Sequence, residues 1–333
     1  MGVNVAIVGA TGAVGQEFLR VLSERKFPMT SLKLLASARS AGKQMEFEGK
    51  AYPVEELTAQ SFAGINIAFF SAGGSISKEF APAAVAAKAV VIDNTSAFRM
   101  KEGIPLVVPE VNPEQIFKHN GLIANPNCST IIMNVPVWPL HKINRVKRII
   151  VSTYQAVSGA GAWGLYELEA QIKAFAAGEP ITNEKFPHVI VNNLFSHNTK
   201  IAPNGYNEEE NKMVNETRKI FAEPKIMITA TCVRVPVLRA HCESINIEFE
   251  RPMTPEQVRS ILSKAPGVKI VDDREANHFP MPLEASGQDD VLVGRIRQDI
   301  SRDDGRGIEL FVSGDQIRKG AATNAVQVAE KLL

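Results

Sequence analysis

The sequence contains few cysteines, no excess charge of either sign and no long apolar run. Its three cysteines lack the spacing of metal ligands, so we expect no disulfide framework, no metal site and a reducing compartment, the cytoplasm. The 37 basic and 36 acidic side chains give a net charge of +1, which argues against binding nucleic acid or an acidic membrane through bulk charge. The apolar runs fall short of the ~20 residues that span a membrane. The first residues also enter a strand pattern without the basic segment of a secretory signal.

What is present predicts two folded domains. The chain has 333 residues, of which 45% are hydrophobic and 22% charged, and one domain takes about 150 residues. In the first 125 residues apolar runs alternate with helical patterns, which predicts a doubly wound parallel sheet of Rossmann type. After Cys128 the runs become longer and β-like, which predicts an α+β domain with a mostly antiparallel sheet. We place the first domain at 1–127, with a C-terminal helix at 317–333, and the second at 128–316.

Apolar periodicity gives the predicted elements of each domain. The strands of the first domain are predicted at 3–8, 32–36, 65–70, 90–93 and 122–124. Those of the second are predicted at 146–153, 226–235, 245–249, 291–296 and 308–312. Helices are predicted after a turn at 9–15, up to 80–87, at 162–177, at 208–221, after Thr254 and at 317–332. The stretch 180–203 shows no regular pattern.

A glycine-rich turn, G-A-T-G-A-V-G at 9–15, joins the first predicted strand to a helix. Glycines let the backbone approach a pyrophosphate closely, and the N–H groups of the helix N-terminus point at the anion. A tight structural turn is the competing interpretation. Sites for NAD carry an acidic residue after the second strand, whereas this chain has Arg39 and Ser40 there. Arg39 can pair with a 2′-phosphate, so we predict NADP, unless Arg39 is only a solvated loop residue.

Cys128 is the candidate nucleophile. It follows a predicted strand and the segment N-P-N, and it precedes an apolar run. A thiol at a helix N-terminus has a lowered pKa because the helix dipole favours the thiolate. On position alone, a buried structural cysteine is the more frequent alternative. Cys232 and Cys242 lie in or beside β-type runs, and we assign both to the core.

His241 is the candidate base. It lies seven residues after Arg234, and alternation leaves the direction of its side chain open. A single histidine is more often a hydrogen-bonded structural residue than a catalyst. A nicotinamide site and a thiol favour the catalytic interpretation, because oxidation of an aldehyde through a thioester needs a nucleophile, a base and a hydride acceptor.

Five motifs occur in the order found in one enzyme family. They are the turn at 9–15, N-P-N-C at 125–128, Q-A-V-S-G-A-G at 155–161, E-E-N-K at 209–212 and the segment 234–241. Together they resemble the aspartate-semialdehyde dehydrogenases over nearly the whole chain. The thiol motif and the spacing from Arg234 to His241 are the specific parts, whereas the glycine turn alone is not.

The resemblance implies that NADPH reduces L-aspartyl 4-phosphate to aspartate 4-semialdehyde, with release of phosphate, in the biosynthesis of lysine, methionine, threonine and isoleucine. The implied catalytic residues are Cys128, His241 and Gln155, which orients the substrate. The implied substrate contacts are Arg234 for the α-carboxylate, Glu209 for the amine or for its neighbours, and Arg99 and Lys212 for phosphate. The implied NADP contacts are Gly9, Thr11, Gly12, Ala13, Val14, Arg39, Ser40, Ser158, Gly159 and Gln316. The resemblance also implies a homodimer that forms through the sheet of the second domain.

Several alternatives remain open. Taken singly, Arg99 and Lys212 fit surface ion pairs, and Glu209 fits the acidic first turn of a helix. A reductase of N-acetylglutamyl phosphate would need the same chemistry for a substrate with an acylated amine and one more methylene. A protein that binds NADP without catalysis is the alternative from another class, and the intact set of Cys128, Gln155, Arg234 and His241 argues against it.

Overall fold

The computed structural model describes residues 2–333, which form two compact units. The first unit contains the residues up to Asn127 and Ala321–Leu333, and the second contains Cys128–Gly320. The elements of the first unit are β1 Val3–Val8, α1 Ala13–Glu24, β2 Met29–Ala36, β3 Gln44–Phe47, β4 Lys50–Glu56, β5 Ile67–Phe70, α2 Gly74–Ala86, β6 Val90–Asp93, β7 Leu122–Ala124 and, at the end of the chain, α8 Thr323–Glu330. Those of the second are α3 Cys128–Ile143, β8 Val146–Gln155, α4 Ala162–Ala177, β9 Phe195–Ser196, α5 Glu208–Ile220, β10 Met227–Arg234, β11 His241–Phe249, α6 Pro255–Leu262, β12 Val268–Ile270, α7 Pro282–Ala285, β13 Val291–Gln298 and β14 Gly307–Gly314.

The first unit has a seven-stranded sheet in the order β3-β4-β2-β1-β5-β6-β7. β1 pairs in parallel with β2 on one side and with β5 on the other. The prediction of a doubly wound parallel sheet is therefore confirmed. Because the strand order reverses at β1, the carboxyl end of β1 lies where such sheets bind ligands.

Glycine is required at both ends of the turn that follows β1. Gly9 has a φ of +88°, and a Cβ on it would lie 2.8 Å from the carbonyl oxygen of Ser71. A Cβ on Gly15 would lie 2.3 Å from the carbonyl oxygen of Gly9. The turn is therefore a close backbone crossing that no other residue type fits.

The sequence pattern misses β3 and β4, which pair antiparallel with each other. β4 extends the sheet by pairing in parallel with β2. The side chains of both strands are mostly exposed, and Pro53 cannot donate to the ladder. The predicted third strand also begins too early, since the N–H of Ile65 donates to Phe62 in a turn before Ile67.

The second unit has a seven-stranded sheet in the order β12-β13-β14-β11-β8-β10-β9. The pairs β8–β10 and β12–β13 are parallel, and the other four are antiparallel. The prediction of a mostly antiparallel sheet is confirmed. α3, α5 and α6 pack on one face of this sheet, while residues such as Tyr154 on the other face are partly exposed.

Two element boundaries in the second half of the chain differ from the prediction. β11 begins at His241, four residues before the predicted strand at 245–249. The predicted helix at 317–332 consists of a π turn, Arg318–Ala322, followed by α8, and the chain passes from the second unit to the first within that turn. Among residues 2–333, each helix is too short or too polar to cross a membrane.

Candidate active site

Three strand ends of the second unit carry Gln155, Arg234 and His241. Gln155 ends β8 and Arg234 ends β10, and the two residues are paired in register. His241 begins β11, which runs antiparallel to β8. All three side chains are at most 2% exposed. The predicted roles of these residues therefore fall on side chains that converge at one edge of the sheet.

Cys128 is the first residue of α3, which packs on β8 and β11. Its side chain is half-buried, whereas Cys232 and Cys242 are buried as predicted. Burial raises the pKa of both core thiols, that of Cys242 to about 11. Cys128 is therefore the thiol that combines access with the favourable field of a helix N-terminus.

Gly320 makes room for this thiol. A Cβ on Gly320 would lie 2.8 Å from the Cβ of Cys128. The sequence pattern does not indicate this contact, because the two residues are far apart in the chain.

Gln155 is oriented by two side chains. Its Nε2 donates to Ser129 Oγ at 2.7 Å and to Glu209 Oε1 at 3.1 Å. Its Oε1 is buried without a hydrogen-bond partner among the described residues. The amide is thus fixed at one end and has an unsatisfied acceptor at the other.

Arg234 is held by a backbone carbonyl and a histidine. Its Nη1 donates to the carbonyl oxygen of Ala156 at 2.6 Å, and its Nη2 lies 2.8 Å from Nε2 of His197. The guanidinium stacks over Phe186, 5.8 Å from the ring centre. Its Nε is buried and has no partner within the described part of the chain.

His241 accepts a hydrogen bond from the backbone. The N–H of Ala156 donates to Nδ1 at 3.0 Å, so the proton of the neutral ring lies on Nε2. Burial lowers the pKa of His241 well below its ordinary value, and the charge of Arg234 lowers it further. Nε2 is buried, and no described residue accepts its proton.

Glu209 and Lys212 lie one turn apart on α5. Glu209 Oε2 accepts from Lys212 Nζ at 3.0 Å, while its other oxygen accepts from Gln155. The helix begins with a capping box between Asn207 and Glu210. Glu209 is 4% exposed, so it is a buried partner of the site and not one of the solvated acidic residues of a first turn.

The remaining predicted residues of the second unit surround Arg234 and His241. A Cβ on Gly159 would lie 3.1 Å from Arg234 Nη1 and 3.3 Å from His241 Nε2. Gln316 donates to the hydroxyl of Ser158 and accepts from the N–H of Ala240. Ser158, Gly159 and Gln316 are thus linked to the same group of side chains.

The first unit holds the other predicted cofactor residues and Arg99. Gly12 caps α1 without a side-chain hydrogen bond from any described residue, and the helix begins with Ala13 and Val14 beside Gly9 and Thr11 in the turn. Arg39 is exposed and Ser40 is buried in a short 3₁₀ turn after β2.

Arg99 is buried, whereas its residue type alone also fitted a surface ion pair. It is 8% exposed, and it donates to the carbonyl oxygens of Asn94 at 2.8 Å and Asn125 at 2.9 Å. These two carbonyl oxygens orient the guanidinium. Within residues 2–333, no cluster of three His, Cys, Asp or Glu side chains is placed to hold a metal ion.

Comparisons with known proteins agree with the resemblance. Residues 4–119 match the family model "Semialdehyde dehydrogenase, NAD binding domain", and 137–319 match "Semialdehyde dehydrogenase, dimerisation domain". The aspartate-semialdehyde dehydrogenase of Synechocystis is 55% identical over 99% of this chain and 97% of its own, and that of Aquifex aeolicus is 53% identical over 100% and 98%.

A solved structure gives the same result. The fold matches the crystal structure of aspartate semialdehyde dehydrogenase II from Vibrio cholerae, complexed with ASA, with a TM-score of 0.96 and 47% identity over 100% of this chain and 98% of that one. Similarity of this extent favours the main prediction over the N-acetylglutamyl phosphate and non-catalytic alternatives. Because identity of about half extends over both units, the chain belongs to the aspartate-semialdehyde dehydrogenase family.

Proposed function

We propose that the protein reduces L-aspartyl 4-phosphate to aspartate 4-semialdehyde with NADPH through a thioester on Cys128. One observation carries the proposal. Gln155 Oε1, Arg234 Nε and His241 Nε2 are all buried at one sheet edge without a partner among the described residues. Unpaired buried polar atoms are costly. A substrate with a carbonyl oxygen and a carboxylate supplies acceptors for His241 and Arg234, and its amino group supplies a donor for Gln155 Oε1.

Cys128 performs the first step. Its thiolate attacks the acyl carbon, the bond from that carbon to the phosphate oxygen breaks, and phosphate leaves and takes up a proton. The thioester that remains on Cys128 keeps the acyl group activated. Lys212 and Arg99 are the proposed phosphate contacts, and the guanidinium of the buried Arg99 is oriented by two backbone carbonyls.

His241 assists the second step as a hydrogen-bond donor. Bound NADPH supplies the hydride that reduces the thioester carbonyl. The Nε2–H of His241 stabilises the oxygen that becomes negative, and the carbon–sulfur bond then breaks and returns Cys128 to the thiolate. We assign this donor role in place of the base expected from the sequence, because Nδ1 already accepts from Ala156.

Arg234 and Glu209 give the site its preference for a substrate that carries an α-carboxylate and an α-amino group. A guanidinium fork matches a carboxylate, so Arg234 is the proposed contact for the α-carboxylate. Glu209 lies next to Gln155 and can receive the α-amino group, although it also pairs with Lys212.

The first unit fits NADP, which carries a pyrophosphate and a 2′-phosphate. The turn at Gly9 has no space for a Cβ, and α1 begins at Ala13, after Gly12, without a side-chain cap from the described residues, which leaves its N-terminus for the pyrophosphate. Arg39 is exposed where a 2′-phosphate would lie. We therefore assign the first unit, the residues up to Asn127 with Ala321–Leu333, to NADP binding and the second, Cys128–Gly320, to catalysis and dimerisation.

The partly exposed face of the second sheet is the proposed contact of a homodimer. It carries Tyr154 and Phe311, whose rings pack at 6.2 Å, and polar residues such as Arg148, Ser244 and Asn246.

All three cysteines lack a disulfide, which supports a cytoplasmic location.

Phosphate-dependent formation of NADPH from aspartate semialdehyde and NADP tests the function. Without phosphate, the wild type should form at most one NADPH per site, and mass spectrometry should find the acyl group on Cys128. Cys128→Ser should lose turnover by several orders of magnitude, while the matched variant Cys242→Ser should keep it. Sustained turnover without phosphate, or faster turnover of N-acetylglutamate semialdehyde, would contradict the proposal.

A further inference from the structure

His197 lies beside the candidate site although no sequence pattern indicates it. The two residues before it form β9, in which Phe195 pairs with Arg234 and Ser196 pairs with Val233. The N–H of His197 then donates to the carbonyl oxygen of Cys232 at 2.8 Å. The backbone of His197 is thus attached to the same strand end that carries Arg234.

The contact between the two side chains fixes the proton of the imidazole. Arginine nitrogens only donate, so Nε2 of His197 must accept from Arg234 Nη2, 2.8 Å away. The ring proton then lies on Nδ1, 3.3 Å from Thr199 Oγ1. Burial lowers the pKa of His197 to about 4, with Arg234 and Lys212 lowering it and Glu209 opposing them. His197 is therefore a neutral acceptor at neutral pH.

This acceptor completes the support of the Arg234 guanidinium. Nη1 is held by the carbonyl of Ala156, and Nη2 is held by His197. Two contacts on different nitrogens fix the plane of the group, and the unpartnered Nε stays in a defined position. A long side chain that is already ordered loses less entropy when it binds a ligand.

We propose that His197 is a positioning residue that fixes Arg234 for the α-carboxylate of the substrate. The proposal rests on the proposed function, since it specifies how the same site recognises a carboxylate. His197 does not touch the reacting atoms, so its effect should appear in substrate binding before it appears in turnover.

Two substitutions of His197 by residues with amide side chains test this role. Glutamine can place an oxygen near the position of Nε2, whereas asparagine is one methylene too short to reach Arg234. We expect His197→Asn to raise the KM for aspartate semialdehyde about tenfold or more, the loss of one hydrogen bond to a charged group. The KM values for phosphate and NADP and the kcat should change less than threefold, and His197→Gln should restore the KM to within threefold of the wild type.

Two controls separate the possible outcomes. His188 lies on the same irregular stretch, is exposed and packs its ring against Phe195, so His188→Asn should leave every constant unchanged. In an Arg234→Lys background, His197→Asn should have little further effect. Equal KM values for the two amide variants, or full additivity with Arg234→Lys, would overturn the positioning role. An inactive wild type would instead overturn the proposed function.

Discussion

Replacing Gly320 by alanine should misplace the nucleophile without changing any residue that touches the substrate. The φ of Gly320 lies outside the left-handed region, so the backbone accepts an alanine there. The new methyl group would lie 2.8 Å from Cβ and 3.3 Å from Cα of Cys128. Carbon atoms in contact prefer about 3.5–4.0 Å, so the two residues must separate by about 0.7 Å.

Gly320→Ala should lower both the stability and the rate, by free energies of similar size. Overpacking costs about 1–3 kcal/mol, whereas a misplacement of about 1 Å at a reacting group costs about 100-fold in rate. We therefore expect Gly320→Ala to lower kcat by about 10- to 100-fold. Three measurements test this expectation. Initial-rate assays of NADPH formation give kcat, the rate of alkylation by iodoacetamide reports on the position of Cys128, and thermal unfolding of the same sample gives the change in stability.

Gly74→Ala is the matched control. Gly74 begins α2, and a Cβ on it would lie 3.9 Å from Cβ of Ala97, which is an ordinary contact. This variant should keep both the kcat and the alkylation rate of the wild type. If Gly320→Ala also kept both, the close approach between Gly320 and Cys128 would not matter for catalysis and the reasoning would be refuted.

Three further predictions follow from charge. Arg39→Asp should weaken NADPH binding about 10- to 100-fold, since it removes a charge-assisted contact, and unchanged affinity in a titration would contradict the NADP assignment. Arg234→Lys keeps the charge but loses the fork, so the KM for aspartate semialdehyde should rise much more than that for phosphate; the reverse result would exchange the two roles. The lowered pKa values of His197, about 4, and His241 should contribute stability that is fully present above pH 6.5 and is lost as the pH falls below it, because the unfolded chain then binds more protons at these two rings. His197 alone should account for about 1–2 kcal/mol between pH 6.5 and 5, measured as the difference between urea titrations of the wild type and His197→Gln, and an equal pH dependence of the two proteins would contradict the lowered pKa of His197.

The sequence predicts the central elements of the fold but not the edge of the first sheet. β1 and β6 are buried on both faces and therefore form continuous apolar runs, which the pattern identifies with the observed bounds. β3 and β4 lie at an edge and expose most of their side chains. β3 alternates polar and apolar residues over only four positions, and Pro53 interrupts β4, so both runs are too short to predict a strand.

Some residues of the candidate site can likewise be predicted from the sequence, and others cannot. Cys128 and His241 belong to local motifs, and a local motif is visible in a sequence. His197 follows a strand of two residues within an irregular stretch, and Gly320 acts through a contact with a residue nearly two hundred positions earlier. Their roles depend on distances that only the fold creates.

The peptide group of Ala156 is a part of the candidate site that no sequence pattern can indicate. Its carbonyl accepts from Arg234, and its N–H donates to His241. One backbone unit therefore orients the proposed carboxylate contact and also decides which nitrogen of His241 carries the proton. Every residue type except proline supplies both groups, so the side chain at 156 carries no signal of this function. The proposed donor role of His241 rests on this backbone geometry, whereas a comparison of side chains alone would leave the histidine free to be assigned as a base.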